Sequence, residues 1–243
     1  MICINNLHLH KNNQPILKGI SLKLNEKEVC ILYGKNGAGK SSFMKCILGL
    51  EKSYQGEITF EKNGVNAQRN SLIFSYLPEN ESIPGELKIS SLIGAFKVAS
   101  TIKNSLIRDE CFDDIYSGLQ IQLLENKRFG DLSKGEKKRV LLAIALMQDF
   151  SILILDEPFE NLDYEMKSIV FDLVRNSMLF SDNPKTVLLS THQLEPLNNT
   201  IEQAVFLVKG SVKEVFRNDG TDKNLIVENI KRITKVDIHD STD

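Results

Sequence analysis

Apolar and polar positions keep three different rhythms along this chain, and each rhythm predicts a different kind of element. Residues 3–9 and 20–24 alternate between the two, as antiparallel strands with one wet face do. Residues 29–33 form an unbroken apolar run, the pattern of a buried strand, and residues 42–48 follow as a helix. Residues 57–60, a turn at Asn63-Gly64 and residues 71–77 predict another strand pair. From Glu79 to about Asp131 the strand signals fade. After a break at Pro84-Gly85, residues 90–103 and 105–116 carry apolar side chains at helical spacing, which predicts a helical insertion.

Beyond it, residues 134–147 predict a helix charged at its start and apolar at its end, and 151–155 a buried strand. Residues 164–180 predict a further helix and 186–190 another buried strand. Residues 203–208 and 211–216 predict a hairpin turning at Lys209-Gly210. The tail from Asp219 is polar, with one helix at about 225–233 and a frayed end. Neither an internal repeat nor a low-complexity linker interrupts this order. Strands alternating with helices, several nearly continuous in apolar residues, predict an α/β fold with a largely parallel sheet covered on both faces.

At 243 residues the chain can bury a substantial core, as one large α/β domain or two small ones. Its formal charge of −2 provides no strongly basic field, so nucleic acid is not expected as the main partner. Cys3, Cys30, Cys46 and Cys111 lie far apart, without a Cys-x-x-Cys or a Cys/His cluster, which points to a reducing compartment without structural zinc. Residues 1–5 have neither a basic leader nor a cleavable apolar stretch, and no run of eighteen apolar residues exists. The expectation is a soluble intracellular protein whose membrane role, if any, is peripheral.

Candidate chemistry stands between the strand at 29–33 and the helix after it, in Gly34-Lys35-Asn36-Gly37-Ala38-Gly39-Lys40-Ser41. This is the spacing of a phosphate loop. A chain wrapping a polyphosphate must aim several backbone N–H groups inward, and glycines at 34, 37 and 39 permit the dihedrals and close approach this needs. Asn36, Ala38 and Ser42 complete the cradle. The helix brings the positive end of its dipole to the phosphates, Lys40 is placed for the β- and γ-phosphates, and the Ser41 hydroxyl for Mg²⁺. A glycine-rich turn matching by chance is the plain alternative, and the flanking strand and helix decide against it. The loop reads as a site for ATP or GTP.

The strand at 151–155 ends in Asp156-Glu157-Pro158. Open parallel sheets bind ligands at the carboxyl ends of their strands, which makes Asp156 a candidate for the metal's shell and Glu157 for polarising the attacking water. Leu132-Ser133-Lys134-Gly135-Glu136, followed by Lys137-Lys138-Arg139, lies shortly before that strand. Taken alone it is a helix cap, with Ser133 at the N-cap and Glu136 closing a capping box. It also resembles the Leu-Ser-Gly-Gly-Gln signature of the nucleotide-binding subunits of ATP-binding-cassette (ABC) proteins, and both readings can hold together. Glu160-Asn161-Leu162-Asp163 resembles that family's D-loop, and His192 in Ser190-Thr191-His192 its switch histidine. The resemblance covers roughly residues 2–216, with five motifs in order.

The resemblance implies a P-loop NTPase core with an antiparallel β subdomain and an inserted helical subdomain. It places the nucleotide-binding domain at 1–218, the helical insertion at about 80–145, and a short C-terminal tail at 219–243. ATP and Mg²⁺ are the implied cofactors. Lys40, Glu157 and His192 are the implied catalytic groups, and Ser41, Glu79 and Asp156 the metal site. Two copies would sandwich two ATP head to tail, each phosphate loop facing the partner's Ser133 and Gly135. The implied function is that of an ATPase subunit on the inner face of the cell membrane, in a homo- or heterodimer, powering a separate integral-membrane permease.

Three departures from the family pattern matter. Glu79 stands where Gln is common after Tyr76-Leu77-Pro78, which with the lack of an obvious C-terminal regulatory domain leans the reading toward an exporter. His8, His10 and Lys11 stand where an aromatic ring usually stacks on adenine, which relaxes the expected discrimination against GTP. Lys134 and Glu136 replace Gly and Gln in the signature. Two other classes compete. A soluble non-transport cassette, for example of the iron–sulfur assembly type, is one; a degenerate binding platform is the other, and intact Lys40, Asp156, Glu157 and His192 argue against it.

Overall fold

The computed structural model describes residues 1–80, 83–102, 109–179, 185–193, 201–218 and 226–232. They fall into two compact units, one of Met1–Gln68 with Thr186–Asp243 and one of Arg69–Lys185.

In the first unit, β1 (Ile2–Lys11) and β2 (Gln14–Leu24) pair antiparallel, Ile2 opposite Leu24 and Lys11 opposite Gln14. Their alternation does what the pattern predicts: Ile2, Ile4, Leu7 and Leu9 are buried while Asn5 and His10 are exposed. The register slips between Ile4 and Leu7, where Asn6 takes a φ of 49°, a bulge that restores the buried face after two consecutive asparagines. Then come β3 (Val29–Tyr33), α1 (Lys40–Leu48), β4 (Tyr54–Lys62) and β5 (Val65–Ala67). The antiparallel sheet runs in the order β2-β1-β4-β5.

The pairing expected between residues 57–60 and 71–77 does not form. Asn63 (φ 53°) and Gly64 (φ 75°) make a two-residue turn, so the chain is back beside β4 at once, with Val65 opposite Lys62. A 3-10 turn at Arg69–Ser71 then ends this sheet.

The second unit holds β6 (Phe74–Leu77), α2 (Ile89–Ile102), α3 (Asp109–Gly118), α4 (Lys134–Leu146), β7 (Ile152–Asp156) and α5 (Tyr164–Asn176). The segment expected to pair with residues 57–60 is β6, which instead runs parallel to β7, Phe74 opposite Ile152 and Leu77 opposite Leu155. The Ser75 hydroxyl donates to the Ala145 carbonyl at 2.7 Å and ties β6 to α4. Ile89, Ile115, Phe129, Leu142, Leu155 and Phe171 are among the fully buried side chains of this core. Each such side chain contributes roughly 1.5–3 kcal/mol over an exposed one. The helices expected at 90–103 and 105–116 are α2 and α3; residues 103 and 105–108 lie outside the described residues. After α5 a 3-10 turn, Ser177–Leu179, follows, and Phe180 of the expected helix lies outside the described residues.

The chain returns to the first unit as β8 (Thr186–Thr191), β9 (Gln203–Val208) and β10 (Ser211–Arg217). β3 is hydrogen-bonded in parallel to both β8 and β9, and Tyr33 stands opposite Thr191 on one side and Phe206 on the other. All residues of β3 and β8 are buried, as their apolar runs predict. β10 turns back antiparallel on β9. Residues 226–232 are helical; of the expected tail helix, 225 and 233 lie outside the described residues. Among the described residues no helix is long and apolar enough to cross a membrane.

Candidate functional site

The phosphate loop leaves β3 at a strand end held on both sides. The Gly34 N–H donates to the Thr191 carbonyl at 3.3 Å, and a Cβ on Gly34 would lie 2.4 Å from the Leu207 carbonyl oxygen, so a larger residue does not fit there. Ala38 N–H donates to the Lys35 carbonyl at 3.1 Å and closes the loop on itself. Gly39, at φ 103°, is the N-cap of α1 and has no side chain to offer the helix; the first turn contains no acid. A helix start without a side-chain cap or an acid suits an anion. Lys40 is 5 % exposed, and its ammonium donates to the Gly34 carbonyl at 2.7 Å and the Lys35 carbonyl at 3.4 Å. Its charge is thus held inside the curve of the loop. Lys35, Asn36 and Gly37 form an exposed crest, while Ala38 is buried and Ser41 and Ser42 are half-buried. Because Tyr33 and Thr191 stand side by side in parallel strands, the loop and His192 leave the same end of the sheet. His192 is half-buried, and the Gln193 N–H bonds back to the Thr191 hydroxyl at 3.0 Å to bend the chain there.

The second cluster lies at the carboxyl ends of β6 and β7. Asp156 ends β7 and is 1 % exposed; Glu157 follows at 6 %. Glu157 takes a φ of 49°, left-handed backbone in a non-glycine residue placed just before Pro158. Such conformations cost of order 1–3 kcal/mol and concentrate at functional sites. Glu79 leaves the neighbouring strand at the same end, two residues past Leu77, and is exposed. Tyr76, on β6, feels two of these acids. Burial pushes its hydroxyl up to about 12, with the carboxylates of Asp156 and then Glu79 adding to the effect. Sequence motifs alone gave no signal for Tyr76, because its relation to Asp156 comes from strand pairing.

The third cluster is the signature. Ser133 caps α4: its hydroxyl accepts from Glu136 N–H at 3.2 Å, and the Glu136 carboxylate accepts from Ser133 N–H at 2.8 Å. The capping box read from the sequence is complete. The Lys127 ammonium reaches the other Glu136 oxygen at 2.7 Å. A Cβ on Gly135 would lie 2.6 Å from the Asn161 carbonyl oxygen, so glycine here lets the D-loop run against the start of α4. Asn161 itself has a φ of 62°, and Asp163 caps α5 by accepting from Met166 N–H at 2.8 Å. Ser133, Gly135, Arg139, Asn161 and Asp163 line a cavity of about 540 Å³. The packing of Asn161 under Gly135 leaves no trace in either motif.

In the phosphate loop, backbone N–H groups and an enclosed ammonium are donors that match a polyphosphate. Separately, the carboxylates at the ends of β6 and β7 are hard oxygens of the kind Mg²⁺ takes.

Comparison with known proteins agrees with this chemistry. The profile of the family described as "ABC transporter" matches residues 17–160. The zinc import ATP-binding protein ZnuC of Acinetobacter baylyi is 30% identical over 211 residues, 86% of this chain and 74% of that protein. A solved structure described as the ATP binding subunit of an ABC transporter superposes with a TM-score of 0.74 at 22% identity, covering 93% of this chain and 94% of the other. The dimeric structure of MJ0796, a bacterial ABC transporter cassette, gives a TM-score of 0.73 at 20% identity, over 90% of this chain and all of that one. Phosphate loop, acidic strand end and capped signature thus occur in a chain that matches one family over most of its length: it belongs to the ABC transporter family as an ATP-binding subunit, an ATPase coupled to transport.

Proposed function

We propose that this chain closes with a second cassette around two ATP molecules and drives a separate integral-membrane permease docked on the helical insertion, peripheral to the inner face of the membrane. The observation that carries this reading is the phosphate loop, with the Lys40 ammonium 2.7 Å from the Gly34 carbonyl and buried inside the curve. In the proposed cycle Lys40 and the amides of residues 34–42 bind and orient the phosphates. Glu157 holds the attacking water, and His192 steadies the γ-phosphate. Ser41, Glu79 and Asp156 are the proposed Mg²⁺ ligands, and Mg²⁺ when bound neutralises charge on the phosphate oxygens. Ser133 and Gly135 serve the nucleotide of the opposing cassette, a reading supported by the dimeric state of the MJ0796 neighbour. The domain division stays as the sequence implied it: 1–218 for the cassette, about 80–145 for the insertion and 219–243 for the tail.

Two observations pull the direction of transport opposite ways. Glu79 in place of Gln carries the export reading. The relative named as a zinc import protein carries the other, and substrate flux in vesicles of the reconstituted complex decides.

The test of the site is phosphate release. Lys40→Ala should reduce ATP turnover to background, and wild-type turnover from that variant would refute the phosphate-loop assignment. Recovery of the native chain with a permease from detergent-solubilised membranes tests the partner; recovery without one would count against it.

A further inference from the structure

We propose that the Lys209-Gly210 turn between β9 and β10 is a buttress of the phosphate loop, with Gly210 a positioning residue for nucleotide binding. This rests on the nucleotide reading of residues 34–41. The crest of the loop, Lys35 to Gly37, is exposed, and besides its own closing bonds the loop is held from behind. The Gly210 N–H donates to the Ala38 carbonyl at 2.9 Å, and the Gly210 carbonyl accepts from Lys18 N–H at 2.8 Å. The first of these bonds has a directional consequence. A peptide unit is planar and trans, so its C=O and the following N–H point opposite ways. Holding the Ala38 oxygen back toward Gly210 turns the Gly39 N–H away from the turn. That N–H belongs to the N-cap of α1, where a phosphate loop needs a donor.

Residue 210 must be glycine for this to work. Lys209 and Gly210 take φ values of 46° and 85°, a tight hairpin turn. A Cβ on Gly210 would lie 2.1 Å from the Ile16 carbonyl oxygen, a backbone atom that cannot swing aside. The same carbonyl lies 3.2 Å from where a Cβ on Gly39 would be. The start of β2 therefore runs against both glycines, and a side chain at 210 must push either the turn or β2 away from the loop.

The experiment compares Gly210→Ala with Gly64→Ala. Gly64 has a similar φ of 75° in the β4–β5 turn, and a Cβ there would meet nothing within 4 Å. Both variants bear the backbone penalty, but one of them touches the loop. Gly210→Ala should raise both the KM and the dissociation constant for ATP by about tenfold, the scale of one lost hydrogen bond, with kcat changed by less than about threefold. Gly64→Ala should leave both constants near wild type. A folded Gly210→Ala with wild-type affinity overturns the proposal. Should Gly210→Ala not fold, hydrogen–deuterium exchange on the wild-type chain decides: ATP should protect residues 208–211 together with 34–41 and leave 62–66 unchanged. Protection of 34–41 with unchanged exchange at 208–211 overturns the buttress. Absence of ATP binding by the wild-type chain would instead remove the nucleotide reading beneath it.

Discussion

The Glu136 carboxylate is held by two donors, the Lys127 ammonium at 2.7 Å and the Ser133 N–H at 2.8 Å. Together these hold its acid well below the ordinary 4.5, at about 2, with Lys127 the larger cause. A carboxyl depressed in the folded state adds stability that is full above its unfolded range and is lost as pH falls through the folded value. The melting temperature of wild type should therefore exceed that of Glu136→Gln near neutral pH. The margin should shrink between about pH 5 and about pH 2, and shrink further in salt because the pair is largely exposed. A margin independent of pH would show that Glu136 acts as a hydrogen-bond acceptor and not as a charge. Residue identity alone made the capping box legible. The Lys127 partner was not, because its place nine residues away depends on how the chain folds before α4.

At the scale of elements, the Ser133 hydroxyl caps α4, and in the proposed sandwich the same hydroxyl would face the opposing cassette's nucleotide, so the cap and the signature readings meet in one residue. The two roles separate in substitutions. Ser133→Ala should cost about 1 kcal/mol of stability and also lower ATP turnover. Ser133→Asn, an equally good N-cap, should restore the melting temperature without restoring turnover. A variant that recovers both would mean that the serine acts through the helix end alone. Strands were the less legible elements. Residues 71–77 have the composition of a hairpin partner for 57–60, yet β5 takes that place because the Asn63-Gly64 turn returns the chain first. Local periodicity identified β6 as a strand, but its parallel partner β7 lies about eighty residues on, beyond any local signal.

The whole molecule is proposed to work as one half of a pair. Glu157→Gln should still bind ATP but hydrolyse it far more slowly, so the closed pair accumulates. Size-exclusion with light scattering should then show a dimer with ATP and a monomer without it. A variant that stays monomeric with ATP, where wild type dimerises, would count against the sandwich. This expectation belongs to the molecule because Ser133 and Gly135 line a cavity built wholly within Arg69–Lys185, while the phosphate loop belongs to the other unit.

The chemistry of this protein was written locally. Phosphate loop, acidic strand end and capped signature each need a few neighbouring residues with particular backbone freedoms or donors, and short segments carry that information in order. Tertiary structure decided what short segments cannot. It set Tyr33 beside Thr191 so that the loop and His192 share a strand end, and placed Tyr76 by Asp156. It fitted Gly135 against Asn161, and put a glycine turn 172 residues downstream behind the Ala38 carbonyl. Those relations arise from strand register and close backbone approach, which depend on the packing of distant segments and leave no period in the sequence.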